Sequence, residues 1–245
     1  MPTQKIERLA HELTDRDLGD PITDELAGWL VGSPRFRAFA EAHRDKIRKK
    51  FRGATDPDSV RDVRAELRTA WLLVADRRID LAFEAYGSGK TGPDLTVTFR
   101  GARSFNIEVT RPHRTPDASG LGASLLAKLR QLPPSVPNAV LFATDGATAV
   151  ALDVDAAARM LRSRADAKKQ AFFSSRGFDG TRAFYDRYLR LSAVFVVAEA
   201  GAGESRAAVW VNRSARIPMP EAAGRAVLRC LRADGRTVTH IDSER

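Results

Sequence analysis

Two acidic residues, Asp94 and Glu108, lie in a stretch of chain that predicts a β-hairpin. The runs 95–99 and 105–109 alternate apolar and polar residues, which is typical of strands with one buried face. A turn about Gly101 makes the numbers of paired residues add up to roughly 202, and this register sets Asp94 opposite Glu108. Like charges in opposite positions destabilise a sheet, so the two carboxylates must be solvated or share a cation. The pair is a candidate two-carboxylate metal site.

The composition of the 245-residue chain favours a polyanionic partner. Lys and Arg number 40 against 31 Asp and Glu, which gives a net charge of +9. Nucleic acid is the first candidate partner, and an anionic membrane surface is the second. The alternative is a compositional bias towards Arg and Ala that serves no partner. A second copy of the chain, forming a homodimer, is a further candidate.

The remaining composition excludes several classes of protein. The single cysteine, Cys230, excludes an internal disulfide framework and a thiolate zinc site within one chain. The longest apolar runs are too short to span a bilayer, and the N-terminus lacks the apolar region of a signal peptide. We therefore expect a cytoplasmic protein without a membrane partner.

The order of predicted elements indicates an α/β protein. Residues 1–55 read as an N-terminal helical segment, with helices over 21–31 and 34–52, and residues 56–245 read as the main domain. The basic stretch 43–52 is either a surface for phosphate or an ordinary solvated helix face. After it, a helix, three strands, a helix and a strand predict a layered α/β or α+β domain.

Glu66 is a third acidic candidate, on the helix that precedes the three strands. It follows Val63 by three residues and precedes Ala70 by four, so it borders the apolar side of that helix. A carboxylate in this position could reach the polar face of the hairpin. The alternative is a boundary glutamate that pairs with Arg64 or Arg68.

With these residues in order, the segment 59–143 resembles the PD-(D/E)XK nuclease superfamily. The resemblance rests on Glu66, on Pro93-Asp94 and on Glu108-Val109-Thr110. It implies a restriction-endonuclease-like mixed central sheet flanked by helices, and a metal-dependent nuclease that hydrolyses DNA phosphodiester bonds. It also implies that Asp94, Glu108 and the Val109 carbonyl hold Mg²⁺ or Mn²⁺, while Glu66 orients water or a second ion. Hard oxygen ligands of this kind suit Mg²⁺.

The sequence departs from the family pattern at the motif lysine, where it has Thr110. Threonine carries no positive charge, so either another residue supplies the cation or the activity is lost. The candidates are Lys128, Arg111 and His113. We favour Lys128, because Arg111 should point to the opposite face from Thr110 in a regular strand.

Gln131 lies three residues after Lys128 and shares its helix face. It resembles the functional glutamine that exonuclease branches of the superfamily carry on this helix. The alternative for both residues is an ordinary amphipathic helix with a polar face.

Two further stretches carry functional hypotheses. Residues 87–92 look like part of a phosphate-binding P-loop, but Glu84 occupies the position that requires glycine, so we expect a loop that brings Lys90 near a phosphate backbone. Residues 168–188 mix cations with aromatic side chains, which indicates either base stacking or, more often, core packing. The alternative to a nuclease is a catalytically inactive nuclease-fold protein that acts as a DNA-binding or protein-interaction module.

Overall fold

The computed structural model describes residues 2–86, 92–101, 104–112, 117–145, 152–199 and 205–232. Helices α1 to α5 precede the sheet: α1 (Pro2–Thr14), α2 (Pro21–Gly32), α3 (Pro34–Ala42), α4 (Arg44–Gly53) and α5 (Pro57–Val74). The strands are β1 (Ile79–Phe83), β2 (Leu95–Phe99), β3 (Ser104–Thr110), β4 (Asn138–Asp145), β5 (Leu191–Glu199) and β6 (Ser205–Val211). The later helices are α6 (Ala118–Leu129), α7 (Val154–Asp166), α8 (Gln170–Ser174), α9 (Gly180–Tyr188) and α10 (Glu221–Leu231).

The strands form one mixed sheet of six strands in the order of the chain. The pairs at the two ends of the sheet are antiparallel, whereas β3, β4 and β5 run parallel to one another. The predicted hairpin register is confirmed, since Leu95 pairs with Ile107 and Thr96 with Asn106. Arg100 and Gly101, which follow β2, both have positive φ, 54° and 64°.

Helices cover both faces of the sheet, because its central strands are apolar on both sides. Along β4, Ala139 and Leu141 face the core beneath α1 to α5 and α10, while Val140 and Phe142 face the core beneath α6 to α9. Such continuous apolar strands are expected where parallel strands are buried on both faces. The prediction of a mixed sheet flanked by helices is therefore confirmed. Its assignment to the restriction-endonuclease type stays a prediction.

The predicted helix over 34–52 is wrong in one respect, because the chain breaks at His43. The His43 backbone leaves helical geometry at φ −112° and ψ 18°. Its ring lies 4.8 Å from the Phe39 ring centroid and 6.3 Å from that of Phe83, and the Phe83 N–H points at its Nε2 at 3.4 Å. Burial and the neighbouring Lys46 lower the pKa of His43, which keeps the ring neutral. Helix α4 begins directly after this break, at Arg44.

The N-terminal helices also contribute cations to the edge strand β1. Arg35 of α3 donates to the carbonyls of Asp76 and Ile79, each at 2.7 Å. Lys46 of α4 donates to the carbonyls of Phe83 at 2.8 Å and Glu84 at 3.0 Å. Side chains of this segment belong to the same apolar core as α5 and the sheet. The domain boundary between residues 55 and 56 stays a prediction. None of the described helices is long and apolar enough to cross a membrane.

Candidate metal site and its lysines

Glu66 and Asp94 meet where α5 passes the start of β2. Helix α5 begins at Pro57 after Asp56, whose side chain accepts from the backbone N–H groups of Asp58 and Ser59 as an N-cap. The buried side of α5 packs on the sheet and leaves the Glu66 side chain 12% exposed. Asp94 is 13% exposed and lies just before β2. Both carboxylates are therefore largely buried.

Lys50 of α4 bridges these two carboxylates. Its ammonium donates to Glu66 Oε2 and, at 2.9 Å, to Asp94 Oδ1. Glu84 Oε1 lies 3.6 Å from the same nitrogen. The Lys50 ammonium also lies 5.1 Å from the centroid of the Phe83 ring. One cation from the N-terminal segment is thus shared by three carboxylates.

Glu108 is held from the other side by α6. The Lys128 ammonium donates to Glu108 Oε1 at 2.7 Å, and the Glu108 side chain is only 2% exposed. With its amide nitrogen facing the carboxylate, Gln131 donates to Oε1 at 2.7 Å and to Oε2 at 3.2 Å. The structure thus brings both Lys128 and Gln131 to Glu108. The predicted shared helix face is wrong for Gln131, because α6 ends at Leu129 and Gln131 lies in the turn that follows.

The ionisation of the cluster reflects crowded negative charge. Burial, followed by the charge of Asp94, raises the pKa of Glu108 to about 7. The same two causes raise the pKa of Glu66 well above its ordinary value. The pKa of Lys50 rises because Glu66 and Asp94 outweigh the effect of its burial, and that of Lys128 rises because Glu108 does so. Both lysines therefore stay charged.

The backbone of β3 also belongs to the site. The Val109 N–H donates to Asp94 Oδ2 at 2.9 Å. In an antiparallel ladder, the N–H and C=O of one residue point to the same neighbouring strand. The Val109 carbonyl, the third predicted ligand, therefore lies on the side of β3 that faces Asp94. Thr110 ends β3 half-buried, with Phe142 as its partner on β4.

Arg111, another candidate for the missing cation, pairs with acids of α5 rather than with the cluster. Arg111 donates to the Asp62 carboxylate at 3.2 Å and to the Asp58 carboxylate at 2.8 Å, so its guanidinium is turned towards the start of α5. His113 and the Lys90 loop lie outside the described residues. Glu66 does not pair with Arg64, which binds Glu25 and Glu199 instead.

Sequence reasoning missed Lys50. The residue lies in the basic stretch 43–52, which we considered only as a phosphate surface or a solvated face. The available signal was the demand for positive charge, because three buried carboxylates need more than one cation. The break at His43, after which α4 begins, is not visible in the sequence pattern.

Metal binding is addressed by two observations. Among the residues that the structure describes, no three His, Cys, Asp or Glu side chains are grouped in a geometry ready for a metal ion. The donor set itself fits Mg²⁺, since Asp94, Glu108 and the Val109 carbonyl all offer hard oxygens. In the present geometry, the Lys50 ammonium lies beside the Asp94 carboxylate and the Lys128 ammonium lies beside the Glu108 carboxylate.

Comparison with known proteins assigns this chain to no family. Neither a family model, nor a curated protein, nor a solved structure matches this chain. The resemblance to the PD-(D/E)XK superfamily therefore continues to rest on the motif residues alone.

Proposed function

We propose that this protein is a metal-dependent nuclease that hydrolyses DNA phosphodiester bonds with Mg²⁺ or Mn²⁺. The observation that supports the proposal is the buried cluster in which Lys50 bridges Glu66 and Asp94 while Lys128 holds Glu108. Like charges are not gathered in a protein interior without a compensating role or cation. The three carboxylates of this cluster, Glu66, Asp94 and Glu108, carry the resemblance to the nuclease superfamily.

The charge balance of the cluster favours an additional cation. Three carboxylates, Glu66, Asp94 and Glu108, are paired with two ammonium groups, which leaves one negative charge among these residues when every acid is ionised. The raised pKa values of Glu66 and Glu108 mean that protons make up part of this deficit. A divalent cation beside Asp94 and Glu108 would balance the same charge and release those protons.

With the ion bound, the residues around the cluster would have different roles in hydrolysis. A bound Mg²⁺ would polarise the phosphodiester and lower the pKa of a coordinated water. Lys128 would supply the positive charge that Thr110 cannot, next to the phosphate oxygens that gain negative charge. Glu66 would accept a hydrogen bond from the attacking water and hold it in line. Gln131 would keep the Glu108 carboxylate oriented through its amide nitrogen.

The test is cleavage of supercoiled plasmid and single-stranded DNA in Mg²⁺ or Mn²⁺. We expect the wild type to cut, and Asp94→Ala and Lys128→Ala to lose about 100-fold or more in rate. Asp80→Ala is the matched control, because Asp80 is an acidic residue on β1 whose side chain is 75% exposed. The proposal fails if the wild type cuts neither substrate with either metal. Cutting that survives Lys128→Ala would keep the metal site but assign the cation elsewhere.

A second candidate is a nuclease-fold protein without catalysis, acting as a DNA-binding or protein-interaction module. The favouring observation is that lysine ammonium groups hold the cluster carboxylates within the chain, while threonine replaces the motif lysine. This candidate predicts DNA binding of equal strength in Mg²⁺ and in EDTA, with no cleavage in either. An affinity measurement beside the cleavage assay separates the two candidates.

A further inference from the structure

A basic surface lies around one aromatic ring on α7 and α8. We name it the Phe172 patch and define it as Arg164, Lys168, Lys169, Phe172 and Arg176. The guanidinium carbons of Arg164 and Arg176 lie 4.2 Å and 3.9 Å from the centroid of the Phe172 ring. Arg176 also donates to the Phe172 carbonyl at 3.0 Å. Stacking on one ring therefore fixes two guanidinium groups in place before any ligand arrives.

The positive charge of the patch is not neutralised by nearby acids. Over the part of the chain that the structure describes, no carboxylate lies within salt-bridge distance of its four cations. The region from 154 to 190 carries nine Lys and Arg against four Asp and Glu, a net +5 of the +9 of the chain. The basic helix α4 differs, because Arg44, Lys50 and Arg52 are paired with acids of the same chain. The Phe172 patch is thus the better surface for a polyanion.

Lys168 occupies a backbone position where a lysine is unfavourable. Its φ is 51°, in the left-handed region. The Lys168 N–H bonds to the Ala165 carbonyl and the Lys169 N–H bonds to the Arg164 carbonyl, which is the pattern that closes a helix with glycine or asparagine. The lysine at this position adds a cation to the patch at a cost in backbone strain. Such an outlier points towards a function of the side chain.

The aromatic residues of this region divide into two groups. Phe173, Phe178, Phe184 and Tyr188 are buried, so their interpretation as core residues is confirmed and they are not available to bases. Phe172 is only half-buried, but its ring already carries two guanidinium groups. The patch therefore presents guanidinium and ammonium donors, which suit phosphate oxygens, rather than a free stacking surface.

We propose that the Phe172 patch binds the phosphodiester backbone of a nucleic acid, without reading its sequence. The inference rests on the proposed function, and it names the surface that holds the substrate outside the carboxylate cluster. Arg130 connects the two regions. Its guanidinium lies against Gly177, close enough that a Cβ on Gly177 would be 2.8 Å from Nη1, and the next residue, Gln131, contacts Glu108.

The test is fluorescence anisotropy of a labelled single-stranded or duplex DNA oligonucleotide in EDTA, where neither metal nor cleavage contributes. We expect Arg164→Gln/Arg176→Gln to weaken binding at least about tenfold at low salt. With duplex DNA, the slope of log affinity against log salt should fall by about 0.9 for each phosphate that the variant no longer neutralises. Arg225→Gln is the matched control, because Arg225 is an exposed arginine of α10 that pairs with Glu221.

A second variant, Lys168→Gly, keeps the test valid if the double variant folds poorly. It should weaken binding while raising the thermal midpoint, since glycine relieves the left-handed strain. The inference is overturned if the wild type binds no oligonucleotide, if Arg225→Gln loses as much affinity as the double variant, or if anionic phosphatidylserine vesicles bind the patch and DNA does not. DNA binding through the patch without any cleavage would reject the proposed nuclease function but would support the Phe172 patch as a binding surface.

Discussion

The ammonium of Lys50 lies 2.9 Å from Oδ1 of Asp94, although 44 residues separate them in the chain. The contact joins helix α4 to the start of β2, and the same nitrogen donates to Glu66. The N-terminal helical segment therefore completes the charge balance of the carboxylate cluster. A metal ion at the cluster would have to displace this ammonium or share the carboxylates with it.

Lys50→Met should destabilise the metal-free protein by about 3 kcal/mol at pH 8, because it leaves Glu66 and Asp94 buried without their shared cation. Mn²⁺ should then stabilise the variant more than the wild type, since the ion no longer competes with the ammonium. Denaturant unfolding with and without Mn²⁺ measures both effects. Lys49→Met is the control, because Lys49 is exposed on the same helix. Equal Mn²⁺ stabilisation of the wild type and Lys50→Met would argue against a shared site.

The stability of the metal-free protein should fall as pH rises from 4.5 to 7. The pKa of Glu108 is about 7 in the folded chain against an ordinary value of 4.5, so the folded state alone keeps this proton within that window. The loss from Glu108 is complete above pH 7, amounts to about 3 kcal/mol and is absent below pH 4.5. Glu66 acts in the same direction.

Glu108→Gln should flatten this dependence, because an amide does not titrate. The free energy of unfolding, measured in EDTA at pH 5 and pH 8, gives the slope for each protein. Asp80→Asn should keep the wild-type slope, since its exposed carboxylate lies outside the cluster. A Glu108→Gln slope equal to that of the wild type would exclude Glu108 as the titrating group.

Lys168→Gly should stabilise the protein by about 1 kcal/mol, because glycine adopts the left-handed conformation without a steric penalty. The control is Lys169→Gly, at a position whose φ of −72° suits any residue. That change should bring no gain, since glycine there only adds freedom to the unfolded chain. Thermal unfolding of the wild type, Lys168→Gly and Lys169→Gly measures these differences in stability. A loss of stability in Lys168→Gly would mean that the lysine makes a stabilising contact.

Asn138→Ala should cost about 2–4 kcal/mol, because it would leave several buried polar groups without a partner. The Asn138 side chain donates to the carbonyls of Pro133 and Val136 at 2.8 Å and accepts from Asn106 at 3.0 Å. Ser135→Ala, in the exposed loop before β4, should stay within about 0.5 kcal/mol of the wild type. Urea unfolding measures the midpoint of each variant. Equal midpoints for Asn138→Ala and Ser135→Ala would mean that the Asn138 hydrogen bonds contribute little to stability.

Much of the sheet could be predicted because the sequence patterns that define its strands span only a few residues. The alternation along 95–99 and 105–109, with one turn between them, was sufficient for the hairpin register. The apolar spacing of Leu121, Leu125 and Leu129 predicted helix α6, whose last turn brings Lys128 to Glu108. Gln131 reaches the same carboxylate from the turn that follows the helix. In each case, side chains a few residues apart determine the structure.

The contacts that the sequence did not predict join distant segments. Lys50 reaches Asp94 from α4, which begins after the break at His43, and the His43 ring lies near those of Phe39 and Phe83. Helical periodicity continues through residue 43, so a pattern of spacing contains no sign of the break. Likewise, only the folded chain shows that Arg111 is taken by Asp58 and Asp62.

The cations that cap β1 have a consequence for association between molecules. A strand at the edge of a sheet offers unpaired carbonyls on which another chain can add a strand, the first step towards aggregation. Arg35 and Lys46 occupy such carbonyls at the two ends of β1, and they bring positive charge that repels a second copy of this basic chain. Helices α3 and α4 thus also protect this edge strand from strand addition, and α4 is the helix that supplies Lys50 to the cluster.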